Sequence, residues 1–399
     1  MMSNNYKRVN LIKLIVPSVV LLLFGVVLVG NSEAYAANVP YSIIYDTNVT
    51  SNMPTDVDTT SMSEQITMAN NTPTRPGFRY LGWCNVIPTS SGGTDLCTGG
   101  TTYQPSATLT LDQTGTGNNF HFYAMWGEEK TIANSTYLQE VNACPASLTT
   151  GQVYTVKDSR DNQDYKVAKL ADGKCWMLEN LNLAGGTALD ADNTDVTSAY
   201  ISSFTTSNNL TKNGNTIVLP ASSTSGFDTD NYSYVYNSGN KENCGAEGQE
   251  IPCYSYYSWD AATLGSGRTI ATENTDAEQS ICPKGWRLPT SGNSSNNGWK
   301  RGDFYALATA YGANLETSCY DDPATFYDNA GPGTVPNFLL AGGYGNGSFY
   351  DGGLGGNYWS SASYTITDYA RYLLFDSSSV DSAALNDRYR GFSVRCLLR

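Results

Sequence analysis

The apolar run from Leu14 to Gly30 decides where the rest of the chain folds, and therefore what its nine cysteines become. Lys7, Arg8 and Lys13 precede the run, and Ala34-Tyr35-Ala36 before Ala37 places small residues at the two positions a signal peptidase inspects. Residues 1–37 read as an export signal. The alternative is an uncleaved anchor, because Leu11 to Gly30 approaches the length that spans a bilayer of ~30 Å. No second apolar run of that kind follows, so the membrane is met only through this segment. Either way the remainder is expected outside the cell or on its surface, an oxidising setting in which cysteines pair.

Only 15% of the residues are charged, while Gly (38) and Tyr (28) are plentiful, which points to strands and loops and away from an all-helical fold. Asp plus Glu outnumber Lys plus Arg by 37 to 23, a net charge of -14, so nucleic acid and anionic lipid are disfavoured as partners. His121 is the one histidine, which excludes a His-rich metal site and any Ser-His-Asp triad formed within the C-terminal region. Lying between Phe120 and Phe122, with no Cys, Asp or Glu at metal-ligand spacing, it reads as a structural or surface residue. Asp190-x-Asp192-x-Thr194 begins like a calcium loop but lacks the glycine and the twelfth-position glutamate. Neither metal nor cofactor is expected.

Ser42 to Tyr45, Thr108 to Leu111 and Phe120 to Trp126 are strand-like runs, and Pro76-Gly77 turns the chain into an aromatic strand ending at Trp83. Over 38–127 these predict a small antiparallel sheet around a Trp-centred core. Ile43 to Tyr45, Gly77 to Trp83, Thr102-Tyr103-Gln104-Pro105 and Tyr123 to Trp126 resemble the Listeria-Bacteroides repeat of internalin B-type regions. The resemblance implies a β-grasp-like spacer with a stalk or adhesive role. Cys84 and Cys97 depart from that pattern and are expected to clip the loop between them.

Residues 128–142, charged and then polar, read as a linker. Beyond it, Val153 to Val156, Tyr165 to Leu170 and Cys175 to Met177, separated by turn residues, predict a meander, with Cys144 and Cys175 pairing at its entrance. Asn213-Gly214 predicts a two-residue hairpin turn. Cys244 and Cys253 suit a local disulfide. Asp303 to Tyr311, apolar at helical spacing with Asp at the start and Gly312 after the end, predicts the one clear helix downstream of the signal.

In order along the chain, Val156-Lys157-Asp158 with Tyr165, Trp176-Met177-x-Glu179-Asn180-Leu181, Tyr256-Tyr257-x-Trp259, Cys282-Pro283-x-Gly285-Trp286-Arg287-Leu288-Pro289-Thr290, Tyr358-Trp359-Ser360-Ser361 and Ser393-Val394-Arg395-Cys396 resemble the Fibrobacter succinogenes major paralogous domain. The resemblance covers 143–399 and implies an α+β, loop-rich, C-type-lectin-like domain of the version shared with formylglycine-generating enzymes. In that fold a terminal strand returns beside the early strands, which suits a Cys282–Cys396 pair. Cys319 is then left over, as a buried or idle thiol or as an intermolecular link.

Between Trp359 and Phe392 the chain is dense in the short polar and aromatic side chains used for adaptable recognition. Tyr364, Asp368, Tyr369, Arg371, Tyr372, Asp376, Asp381, Asn386, Asp387 and Tyr389 are the candidate ligand-binding residues, on a scaffold of Trp359, Phe392, Val394 and Cys396. The layout resembles the C-terminal variable region of proteins diversified by retroelements. The expected function is an exported adhesion protein that binds a protein or glycan on another cell or surface. The Glu-Pro-Asn and Trp-Asn-Asp motifs of calcium-dependent sugar binding are absent. One alternative is a purely structural envelope component. The other is an enzyme related to formylglycine-generating enzymes, disfavoured because fold alone does not confer that chemistry and no catalytic residue can be assigned.

Overall fold

The computed structural model describes residues 39–46, 54, 56, 62–63, 65–111, 118–206, 209–223, 234–236, 255–269, 275–292, 298–321, 325–364 and 368–399. The expected export segment 1–37 and the expected Cys244–Cys253 pair lie outside them. Strands predominate and the helices are short, giving an α+β chain dominated by β-structure. It divides into two compact units, one of residues 1–75 and 80–126, the other of 76–79 and 127–399.

In the first unit, Ser42–Asp46 (β1), Phe78–Cys84 (β2), Thr89–Ser91 (β3), Thr94–Leu96 (β4), Thr102–Tyr103 (β5) and Asn119–Glu128 (β6) form one sheet. Its order is β3-β4-β6-β2-β5, with β1 also on β6. The antiparallel expectation fails at β1, which runs parallel to β6 from Ser42↔Asn119 to Asp46↔Tyr123. Parallel neighbours need a crossover instead of a tight turn, and the long chain between Asp46 and Asn119 supplies one. Trp83 and Phe122 are fully buried, with the Tyr45 ring 4.9 Å from Trp83. Gly82, in the left-handed region at φ 130°, lies where a Cβ would meet the Tyr103 carbonyl oxygen at 2.9 Å, so β2 and β5 pair closely only with glycine there. Cys84 bonds to Cys97. His121 is exposed, its ring stacked on Tyr123 at 4.3 Å.

In the second unit, Val153–Lys157 (β7), Asp164–Lys169 (β8) and Cys175–Met177 (β9) form the antiparallel meander. Trp286–Arg287 (β10) belongs to the same sheet, while Tyr320–Asp321 (β11), Gly355–Ser363 (β12), Tyr369–Asp376 (β13) and Val380–Asp387 (β14) form a second one, ordered β11-β14-β13-β12. The last strand, Leu397–Leu398 (β15), inserts between β9 and β10, giving the first sheet the order β7-β8-β9-β15-β10. The end of the chain thereby lies beside the meander of this unit, and Cys282–Cys396 fastens it there while Cys144–Cys175 closes the meander.

Residues 128–142 do not form a free linker. Ile132, Leu138 and Val141 enter the main core of this unit, and Trp286 Nε1 donates to the Leu138 carbonyl at 2.8 Å. These apolar residues follow neither a helical nor a strand period, so they left no pattern to read. The hairpin turn near 214 falls one residue later than expected: Asn213 pairs with Thr216, leaving Gly214 and Asn215 as the turn. The helix Asp303–Ala310 buries Phe304, Leu307 and Ala308, and is joined by short helices at Ser198–Ser203, Trp259–Ala262 and Thr325–Ala330. Among the described residues no helix is long and apolar enough to cross a membrane.

Candidate functional site

The C-terminal stretch is built on a sealed scaffold. Every residue of β12 is buried, and the Trp359 ring packs 4.4 Å from Phe392 while its Nε1 donates to the Tyr257 carbonyl at 2.7 Å. Gly391, Phe392 and Ser393 bridge to Tyr344, Tyr257 and Tyr358, wedging the returning chain into the fold. Arg395 is fully buried over the Phe338 ring at 4.2 Å; its Nε donates to Asn180 Oδ1 at 2.9 Å, and its Nη atoms to the carbonyls of Pro336 and Asn337. Asn180 in turn donates to Ser393 Oγ at 2.9 Å. Such satisfied partners make burial of a guanidinium tolerable. Asn180, Ser393 and Arg395 thus tie the meander to the chain end, and their role is architectural.

The ten expected ligand-binding residues do not form one face. Arg371 is fully buried beneath the Tyr364 ring, 5.2 Å away, and donates to the Ala383 carbonyl at 2.9 Å. Tyr372 is buried on the opposite side of β13, its ring 4.7 Å from Phe392 and 6.0 Å from Trp359. Successive strand side chains point to opposite faces, so neighbours in this run cannot share a surface. Asp376 accepts from the backbone N–H and hydroxyl of both Ser378 and Ser379, shaping the β13–β14 turn; those hydrogen bonds outweigh burial and lower its carboxyl. It lies ~23 Å along the strand from Tyr369. Asp381 accepts from the Ala383 N–H at 2.9 Å, and burial raises its carboxyl.

Tyr364, Asp368, Tyr369, Asn386, Asp387 and Tyr389 remain reachable, gathered around the end of the hairpin remote from its turn. Tyr369 pairs with Asp387 across the strands, and Arg388, whose guanidinium lies over the Trp259 ring, binds the carbonyls of both Asp368 and Tyr369. Tyr389 continues this surface into an aromatic cluster that sequence reasoning missed, formed by Tyr236, Tyr344 and Phe349. Tyr236 stacks on Tyr344 at 4.6 Å and Phe349 meets Tyr344 edge-on at 4.8 Å. Arg390 bridges the two parts, 5.1 Å from the Tyr389 ring and 3.5 Å from the Asp387 carboxylate. The signal was available: Asn346-Gly347, both at positive φ, turns a hairpin of Gly343–Gly345 with Ser348–Tyr350.

A separate pocket of about 310 Å³ opens between Asp195, Asp276, Glu278, Arg287, Ser361 and Arg399. Arg399 Nη2 donates to Asp195 Oδ1 at 2.6 Å and Ser280 Oγ to Asp195 Oδ2 at 2.7 Å; burial outweighs both and raises the Asp195 carboxyl. Ser361 Oγ donates to Asp276 Oδ1 at 2.6 Å. Arg287 is held by Asp303, at 2.6 Å from Nη1 to Oδ2.

Cys319 is half-buried and unpaired, and burial pushes its thiol up to about 11, away from the thiolate form. No group of three or more His, Cys, Asp or Glu among the described residues could hold a metal ion. No family model, curated protein or solved structure matches the chain.

Proposed function

We propose that the chain is an exported surface protein whose second unit binds a protein or glycan on another cell or surface, through the remote end of the β13–β14 hairpin. One observation carries the reading: Tyr364, Asp368, Tyr369, Asn386, Asp387 and Tyr389 stay reachable directly above a scaffold whose Trp359, Phe392, Val394 and Cys396 are fully buried. Rigid support beneath rotor-poor tyrosines lowers the ordering cost of binding. Three disulfides among the described residues fit the oxidising setting this role requires. In this reading the first unit is a β-grasp-like spacer and the second a lectin-like domain, with retroelement diversification of the hairpin as a further proposal. A near-repeat of the region, altered mainly at adenines and beside a reverse transcriptase gene, would support diversification; its absence would remove it without touching the binding reading. An enzyme is the weaker reading, because Cys396 is committed to Cys282 and the Cys319 thiol is poorly ionised.

The test is saturable binding of the exported chain to whole cells and to glycan and protein arrays. Binding that is lost in a Tyr369→Ala, Tyr389→Ala double variant of unchanged melting temperature supports the proposal. A chain with no saturable target overturns it in favour of a structural envelope component.

A further inference from the structure

The remote end of the β13–β14 hairpin carries an ion pair whose polar atoms the fold does not use up. Asp387 and Arg390 meet at 3.5 Å with side chains only 20% and 22% exposed, and the contact runs through Arg390 Nε alone. Among the described residues neither Arg390 Nη atom donates a hydrogen bond and neither Asp387 carboxylate oxygen accepts one. The buried guanidiniums of Arg371 and Arg395, by contrast, donate to the carbonyls of Ala383 and Pro336. Largely covered polar groups are ordinarily satisfied, and an exception points to a function for the spare atoms.

The pair is also held in place. A Cβ at Gly345 would collide with the Arg390 guanidinium, which lies directly on that backbone, and the Tyr389 and Tyr350 rings flank it at 5.1 and 6.0 Å. Tyr344 exchanges two backbone hydrogen bonds with Gly391, at 2.9 and 2.8 Å, which pins the 343–350 hairpin alongside. On that hairpin Phe349 stands edge-on to Tyr344 at 4.8 Å and to Tyr236 at 5.0 Å. Phe349, Tyr236 and Tyr389 each keep part of their surface open. The pair has no net charge, and exposed Asp351 acts on the Tyr350 hydroxyl together with Arg390 and Asp387. An acidic ligand would therefore meet two carboxylates as well as Arg390.

We infer that this corner takes a neutral sugar residue of a glycan, an inference that rests on the binding role proposed above for the hairpin end. A hydroxyl both donates and accepts, so adjacent sugar hydroxyls accept from the Arg390 Nη atoms and donate to the Asp387 carboxylate. The weakly positive C–H face of the sugar packs on the negative faces of the neighbouring rings, Phe349 and Tyr389. A protein side chain brings one charge or one amide to such a pair. A sugar brings several neutral hydroxyls around an apolar face, which matches a neutral pair beside open rings.

The experiment presents the purified chain with a glycan array and with the methyl glycosides of glucose, galactose, mannose and N-acetylglucosamine, with glucuronic acid as the charged control. Saturation-transfer difference NMR, irradiating the protein's aromatic protons, reads the sugar protons that lie against the rings. A neutral sugar is expected to receive transfer chiefly at the C–H protons of one face, and to compete with the array glycan. Asp387→Asn should weaken it by about tenfold or more, as for loss of a charged hydrogen-bond acceptor, and Phe349→Ala should abolish the transfer. The Asp387 carboxylate contacts only Arg390, so its variant keeps the test open if Phe349→Ala perturbs folding. The inference fails if no neutral glycan binds saturably, if Asp387→Asn binds as well as the parent, or if glucuronic acid binds best. Saturable binding to cells or to a protein array that neutral sugars do not compete overturns the sugar and leaves the binding role standing; a chain with no saturable target overturns both.

Discussion

Asp303 opens the longest described helix and is also an ionic hub, so replacing it by asparagine tests how far electrostatics holds the second unit together. Its carboxylate, 5% exposed, accepts from Lys174 Nζ at 2.5 Å, Arg287 Nη1 at 2.6 Å, and the Thr290 N–H and hydroxyl at 2.8 and 2.9 Å. Burial alone would raise its pKa; the donors, Arg287 foremost, outweigh it and hold the value at about 2, against 3.8 ordinarily. A carboxyl that ionises more readily folded than unfolded stabilises the fold fully above the unfolded pKa, and loses that contribution as pH falls toward the folded one. The gap is worth ~2.4 kcal/mol at pH 7 and ~1.3 kcal/mol at pH 3. Asparagine cannot ionise, so the stability difference between parent and Asp303→Asn should shrink by ~1 kcal/mol between those pH values. Urea unfolding of the purified chain, with hydrogen exchange read on amides of 127–399, separates this unit from the first. A difference that stays flat to within a few tenths, or grows as pH falls, would refute the assignment of the low pKa to this hub.

Tyr372→Ala should cost ~3–5 kcal/mol as a large core truncation, whereas Tyr369→Ala, 37% exposed, should stay within ~1 kcal/mol. Equal losses in thermal melts would show that the two faces of β13 are wrongly assigned. Removing Cys282–Cys396, which closes a 114-residue separation, should cost ~4–5 kcal/mol of chain entropy and expose amides throughout the second unit. Removing Cys84–Cys97, separation 13, should cost ~3 kcal/mol, with faster exchange confined to the first unit; exchange that spreads across both would contradict independent units. Gly356→Ala would place a Cβ 2.1 Å from the Phe375 ring and 2.8 Å from the Leu339 carbonyl oxygen, an overpacking cost of ~1–3 kcal/mol measurable by denaturant midpoint.

What the sequence made legible was local. The meander at 153–177, the helix at Asp303 and the Cys84–Cys97 clip each depend on residues near one another in the chain, where periodicity and turn chemistry operate. The insertion of β15 between β9 and β10 joins residues more than two hundred positions apart, and only the resemblance anticipated it. The parallel β1–β6 pair had no such guide.

The hairpin shows why the residues expected to form one face do not. Tyr and Arg count as surface residues by frequency, yet each has a long body that buries well once its polar tip finds a partner. Arg371 finds the Ala383 carbonyl, and Tyr372 packs into Trp359 and Phe392. On the Arg371 side of β13, Leu373 and Phe375 lie in the core with Phe326 and Phe338, so that face is covered at its turn end as well. Within the two strands, exposed residues occur only toward the other end, at Tyr369 and at Leu385 of β14, both 37% exposed. Recognition chemistry on a strand covered from both sides is therefore confined to where the covering layers stop. That boundary is set by residues such as Phe326, Phe338 and Phe392 elsewhere in the chain, and the run from Tyr364 to Tyr389 carries no record of it.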